Sequence, residues 1–192
     1  MKQAKLLTQQ ERKRLAAVID HKRYATRNHT AVALSFYAGL RACEIAALRV
    51  GDVFDETGAV RDTIHLRAAQ TKGKEAATVL VNKKLRAQLK RYAAHYATRA
   101  KQPTAPLIFS AKGGGFTPQT IVNLFQHLYK AAGITGASSH SGRRQFVTEL
   151  ADKGINARVI QALARHKHLN TTMRYIDLNE NKLRSAVELV DY

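Results

Sequence analysis

Apolar positions recur at helical spacing along most of the chain. In "LTQQERKRLAAVI", Leu15, Val18 and Ile19 share one face, and Thr8 precedes Glu11 by three, the spacing of a capping box. A second helical segment over about 29–39 runs into Gly39, a good left-handed terminator. "RACEIAAL" at 41–48 predicts a short helix, and turn-rich "VGDVFDETGAV" follows it. Between Arg61 and Val81 the period falls to that of strands. Ile64 and Leu66 share a face in "DTIHLRA", "ATVLV" is rich in strand formers, and "QTKGKE" between them is a turn centred on Gly73. This is a β-hairpin or a small meander.

Helical spacing returns in "KKLRAQLKRYAAHYATRA", where Leu85, Leu89, Tyr92 and Tyr96 form one stripe. "PLIFS" is a short extended piece. No Lys-Ser/Thr follows the glycines of "AKGGGF", so that loop reads as a flexible turn rather than a phosphate cradle. Thr117 and Pro118 cap and open a helix in "TPQTIVNLFQHLYKAAG". Further helices are expected at about 140–153, 156–165 and 180–190. In the last, Leu183, Ala186, Val187 and Val190 make an apolar stripe that must dock on its own core or on a neighbouring subunit. The pattern predicts a mainly α fold with a small antiparallel β-sheet (α+β), in a continuous chain of one domain or one and a half.

Charge narrows the function. Lys and Arg number 32 against 14 Asp and Glu, a formal net charge of +18, which draws polyanions and makes nucleic acid the leading partner. A single cysteine, Cys43, excludes an internal disulfide and favours a reducing, cytosolic setting. The longest apolar run, "AVALSFYAGL", has ten residues, too few to cross a bilayer, and the N-terminus turns polar too soon for a secretory signal.

Three polar clusters interrupt the apolar text. Arg41 and Glu44 in "GLRACEIAALRV" lie three apart and can pair on a helix; taken alone, they read as a solvated helix edge contributing at most about 0.5 kcal/mol. His140 and Arg143 in "SSHSGRRQF" have the same spacing, and Gly142 beside them costs roughly 1 kcal/mol relative to Ala, a hint of close backbone approach. In "ARHKHLNTTMRYIDL", His166 precedes Tyr175 by nine. Two guanidinium groups, two imidazoles and a phenol together can handle phosphate. Arginine holds it bidentately, histidine relays protons near neutral pH, and nearby cations favour the phenolate a tyrosine nucleophile needs. His166 and His168 at i, i+2 do not fit a helical metal site, so no metal is expected and His168 reads as a surface or DNA-backbone residue. Tyr92, Tyr96 and Tyr129 sit at apolar helical positions and read as core, as do Tyr24 and Tyr37.

These motifs resemble the catalytic domain of tyrosine site-specific recombinases, the phage integrase family. "GLRACEIAALRVGDV" matches the family's first arginine motif at Arg41, "HSGRRQF" matches its His-x-x-Arg at His140 and Arg143, and "HKHLNTTMRY" matches its last box at His166 and Tyr175. The family's hairpin lysine corresponds to Lys72, with Lys74 as the alternative, and the likeness runs from about Leu7 to Val190. Three positions depart from the usual pattern. Ala164-Arg165 stands for Leu-Gly, which either tightens the turn aiming His166 or adds a phosphate contact; Gly142 stands for Leu and Arg144 for His.

The resemblance implies a catalytic domain over 1–192, without the N-terminal core-binding domain of typical members, as in a short member or a fragment. It further implies cleavage and rejoining of double-stranded DNA through a 3′-phosphotyrosyl link made by Tyr175. Arg41, Arg143, His140 and His166 would hold the phosphate, Lys72 would act as general acid, and Glu44 would support an Arg or His. Neither metal nor cofactor is implied. The C-terminal helix would dock on a neighbour to build a DNA-bound homo-oligomer, a tetramer, in the cytoplasm, with no membrane partner. The competing readings are a non-catalytic DNA-binding relative with a regulatory or accessory role, and a monomeric relaxase like type IB topoisomerases.

Overall fold

The computed structural model describes residues 3–71, 74–176, 183–184 and 187–190. The chain divides into two compact units, residues 1–146 and 147–192. The first holds α1 (Gln9–Asp20), α2 (Ala25–Ala38), α3 (Ala42–Ala47), α4 (Val50–Val53), β1 (Thr63–Leu66), β2 (Ala77–Leu80), α5 (Lys83–His95), α6 (Ala97–Ala100), α7 (Pro118–Ala131) and the start of α8 (Ser141–Asp152). The second holds the rest of α8, α9 (Ala157–Ala164) and α10 (Leu169–Met173).

Local signals set the ends of these elements. The Thr8 hydroxyl accepts from the Glu11 N–H at 3.2 Å, and the Glu11 carboxylate accepts from the Thr8 N–H at 3.0 Å, so the expected capping box forms. Lys5 adds an ammonium 2.6 Å from the same carboxylate, which with the Thr8 N–H holds the Glu11 pKa below its ordinary value. Thr117 and Asn82 cap α7 and α5 by accepting from Thr120 and Leu85 N–H groups. Helix α2 begins at Ala25, four residues earlier than the apolar pattern indicates, because its first turn buries polar side chains, Arg27 and Asn28.

The two strands pair antiparallel, with Ile64 opposite Val79 and Leu66 opposite Ala77. Ile64, Leu66 and Val79 are buried, while His65 faces outward between the hydroxyls of Thr63 and Thr78. The turn residues Lys72 and Gly73 lie outside the described residues, and Lys74 beside them takes a left-handed φ of 53°. Three short elements carry no periodic signal: α4, which opens the stretch expected to be turn-rich, α10, and a 3₁₀ turn at Ala68–Gln70 that follows β1.

The core of the first unit forms where α2 packs on α5 and α3 on α7. Tyr92 and Tyr129 are buried as expected; Tyr24 and Tyr96 are half-buried; Tyr37, expected inside, is 37% exposed. Arg27 is the unusual member. It is 6% exposed, its guanidinium lies 4.4 Å from the Tyr24 ring centre and 4.9 Å from that of Phe116. Its Nη1 donates to the Phe109 carbonyl at 2.7 Å, and its Nε and Nη2 donate to the Asn28 amide oxygen at 3.1 and 2.8 Å. Ring faces and neutral oxygens thus carry a buried cation whose pKa burial pulls downward.

Lysine cannot reproduce that planar fork. Arg27→Lys is expected to destabilise the protein by about 3 kcal/mol, because a buried charge loses its partners. Thermal unfolding followed by circular dichroism should show Tm lower by roughly 6–12 °C. Glu11 makes a pH-dependent contribution. Its folded-state pKa lies below the ordinary 4.5, so its stabilisation is present above that pH and is lost as pH falls through the folded value. Urea midpoints measured between pH 6 and pH 3 should therefore fall more steeply for wild type than for Glu11→Gln.

Candidate active site

In the first unit, the two arginine motifs meet at one backbone group. Gly39 ends α2 at φ 60° and is followed at once by Leu40 and Arg41. Its carbonyl oxygen accepts from Arg143 Nη1 at 2.6 Å. Glycine is required there twice over: the backbone is left-handed, and an added Cβ would lie 2.7 Å from Cδ1 of Phe146. One turn along α8 the packing is as close. A Cβ on Gly142 would come within 2.4 Å of the Ser35 hydroxyl and 2.6 Å of Phe36, so the close backbone approach expected at this residue is present.

Arg41 sits at the N-cap of α3. Its Nη1 donates to Glu44 Oε1 at 2.7 Å and its N–H donates to Oε2 at 2.9 Å. The pair is not the solvated helix edge that its spacing suggests. The Glu44 side chain is 1% exposed and that of Arg41 24%, because α3 buries its carboxylate face while the guanidinium reaches the surface. A buried carboxylate held at both oxygens fixes the arginine, since breaking the pair would strand a charge away from water. Glu44 thereby sets the direction of Arg41.

Arg143 is 7% exposed in the first turn of α8, and His140 is exposed at its start, with its N–H donating to Ser138 Oγ at 3.2 Å. That first turn holds Arg143 and Arg144 and no acidic residue. Cations at a helix N-terminus oppose the macrodipole by about 0.3–1 kcal/mol each, a cost that an anion at this end of α8 would offset. Arg144, at the position usual for His, donates to the Ala4 carbonyl, and the Gln145 side-chain oxygen accepts from the Leu7 N–H at 3.1 Å. Both tie the N-terminal segment to α8.

In the second unit, α9 ends in a two-bond reversal. The Arg165 N–H donates to the Ala162 carbonyl and the His166 N–H to the Gln161 carbonyl, each at 3.0 Å. Arg165 takes φ 56° and ψ 47°, the left-handed conformation that suits glycine. The missing glycine therefore leaves the turn intact and strained, while Arg165 Nη1 donates to the Leu163 carbonyl at 3.0 Å. The turn delivers His166 into the interior at 8% exposure, its Nδ1 2.8 Å from the buried Thr172 Oγ1. The half-buried Tyr175 ring lies nearly parallel to the imidazole, 6.0 Å between centroids at 19°. Burial drives the Tyr92 and Tyr129 phenols to higher pKa, which suits them to the core and not to chemistry. His168 is exposed at the start of α10.

Residues 5–182 match the profile of the Phage integrase family. The chain belongs to that family. The Pyrococcus horikoshii protein tyrosine recombinase XerA is 27% identical over 188 residues, 96% of this chain and 60% of the relative. The crystal structure of XerA recombinase superposes with a TM-score of 0.75 at 26% identity, covering 100% of this chain and 68% of that one. A pre-cleavage complex of XerH site-specific recombinase bound to difH substrate shares the fold, with a TM-score of 0.71 at 21% identity over 98% of this chain and 55% of that one. The chain thus spans about three-fifths of the length of the XerA relative. Like these integrase domains it is mainly helical with a two-stranded antiparallel sheet. Among the described residues no helix is long and apolar enough to cross a membrane.

Sequence reasoning reached Arg41, Glu44, His140, Arg143, His166 and Tyr175, but not the Gly39 carbonyl or the Thr172 hydroxyl that hold two of them. Gly39 was legible only as a helix terminator, and α10 breaks the helical period that would have exposed Thr172. Lys72 lies outside the described residues. Arg165→Gly should relieve the left-handed strain and stabilise the protein by about 1 kcal/mol, since an L-residue costs roughly that there. Calorimetry should record Tm higher by roughly 2–4 °C.

Proposed function

We propose that this integrase-family chain cuts and rejoins double-stranded DNA at specific sites, with Tyr175 as nucleophile. The pairing of a half-buried Tyr175 with the buried His166 carries the reading. The Tyr175 oxygen attacks a backbone phosphorus, and the bond from phosphorus to the 5′-oxygen breaks. The products are a 3′-phosphotyrosyl ester and a free 5′-hydroxyl. Arg41, aimed by Glu44, and Arg143, held by Gly39, bind the non-bridging oxygens and stabilise the charge that builds there. His140 and His166 support the same phosphate and take part in moving the phenol proton. Lys72 protonates the departing 5′-oxygen. The ester keeps the energy of the broken bond, so a 5′-hydroxyl from another strand can reverse the step without a nucleotide.

The net charge of +18 supports a DNA partner, as does the difH substrate in the XerH complex. Leu183, Val187, Leu189 and Val190 are all more than half exposed, which supports docking of the C-terminal segment on a neighbouring copy in a DNA-bound tetramer. The greater part of the expected helix at 180–190 lies outside the described residues. A protein working on chromosomal or phage DNA by this route acts in the cytoplasm.

The test uses nicked duplexes randomised on both sides of the nick, so that a cleaved strand loses its 5′-hydroxyl fragment and cannot be resealed. Wild type should form a covalent adduct that survives denaturing electrophoresis, and Tyr175→Phe should form none. No adduct from wild type, or an adduct from Tyr175→Phe, overturns the catalytic reading. Salt-sensitive binding alone would leave a DNA-binding accessory protein.

A further inference from the structure

The second unit contains a residue that touches both members of the reacting pair. Thr172 is fully buried in α10. Its Oγ1 lies 2.8 Å from His166 Nδ1, and its carbonyl oxygen accepts from the Tyr175 N–H at 3.0 Å. The side chain therefore fixes the imidazole, and the main chain fixes the turn on which the tyrosine sits. The rings of His166 and Tyr175 lie near-parallel, 19° apart in plane.

We propose that Thr172 is the positioning residue of this site: its hydroxyl holds His166 by Nδ1, directs Nε2 to the reacting phosphate, and keeps the ring in register with Tyr175. The inference rests on the reading of Tyr175 as nucleophile and His166 as its partner. A hydroxyl suits the task because it rotates. It donates to Nδ1 of the neutral ring and accepts from the Nδ1–H of the cation, so a proton can come and go at Nε2 while the ring keeps its bond to Thr172. A carboxylate would favour the cation alone. An amide would have to turn over to change roles. On this proposal the hydroxyl donates in the resting protein, which makes His166 the Nε2–H tautomer and lets it donate to a non-bridging oxygen.

Thr172→Val keeps the branched shape and removes the hydroxyl; Thr172→Ser keeps the hydroxyl and removes a methyl. Nitrogen-15 spectra of histidine-labelled full chain, without DNA, report the tautomer of His166 directly. Wild type and Thr172→Ser should show the Nε2–H form alone, and Thr172→Val a mixture of both. On the nicked duplex pool, Thr172→Val should form adduct roughly tenfold more slowly, the cost of one lost hydrogen bond, with duplex affinity unchanged and the rate recovered in Thr172→Ser. A wild-type ring that populates both tautomers overturns the proposal, as does a Thr172→Val spectrum identical to wild type, whatever happens to the rate. If Thr172→Val fails to fold, wild type and Thr172→Ser still decide through the tautomer. If wild type forms no adduct, the nucleophile reading fails while the spectra still report whether Thr172 sets the ring.

Discussion

The hydrogen bond from Arg143 to the Gly39 carbonyl is the constraint on which the first unit's share of the site depends. It joins residues 104 positions apart in sequence, and it joins the end of α2 to the first turn of α8. Gly39 leads through Leu40 into Arg41, so the same short reversal that receives one arginine launches the other. Packing leaves that junction little slack. Phe146 closes on Gly39 from α8, while Ser35 and Phe36 close on Gly142 from α2. Side chains pressed against two glycine positions hold the reversal that carries Arg41 close against the first turn of α8.

The chain treats its cations in opposite ways according to use. Arg27 is withdrawn from solvent and satisfied by rings and neutral oxygens, and it serves packing. Arg143 and Arg144 stand at the positive end of a helix with no acidic neighbour in that turn. Arg165 is kept in a conformation that glycine would adopt more easily. Each of these last three carries a local cost, that of a cation at a helix N-terminus or of an L-residue in the left-handed region. The left-handed Arg165 thus lies next to His166, one of the candidate site residues.

Much of this was legible in the sequence, and the limits have physical causes. Caps and periods are local, so Thr8 with Glu11, Thr117 with Pro118 and the alternation around Ile64 announced their elements directly. Six of the candidate site residues could be named because their motifs are short and separately recognisable. The burial of Glu44 was not legible, since spacing shows that two residues share a face and not which face is covered. Nor was α10, whose Asn-Thr-Thr run has no apolar repeat and low helix propensity. Tyr37 was misplaced for a related reason: its neighbours are apolar, but its own position on α2 turns outward.

The tight seat of Gly142 also bears on how this sequence can change. Every residue reachable from glycine by a single codon change carries a Cβ, and at this position that atom would meet the Ser35 hydroxyl and the Phe36 ring. Ser35 and Phe36 are themselves buried, so neither can swing aside cheaply. A larger side chain at this position therefore needs room that Ser35 and Phe36 on α2 do not leave. The two helices constrain each other's sequences as well as each other's positions.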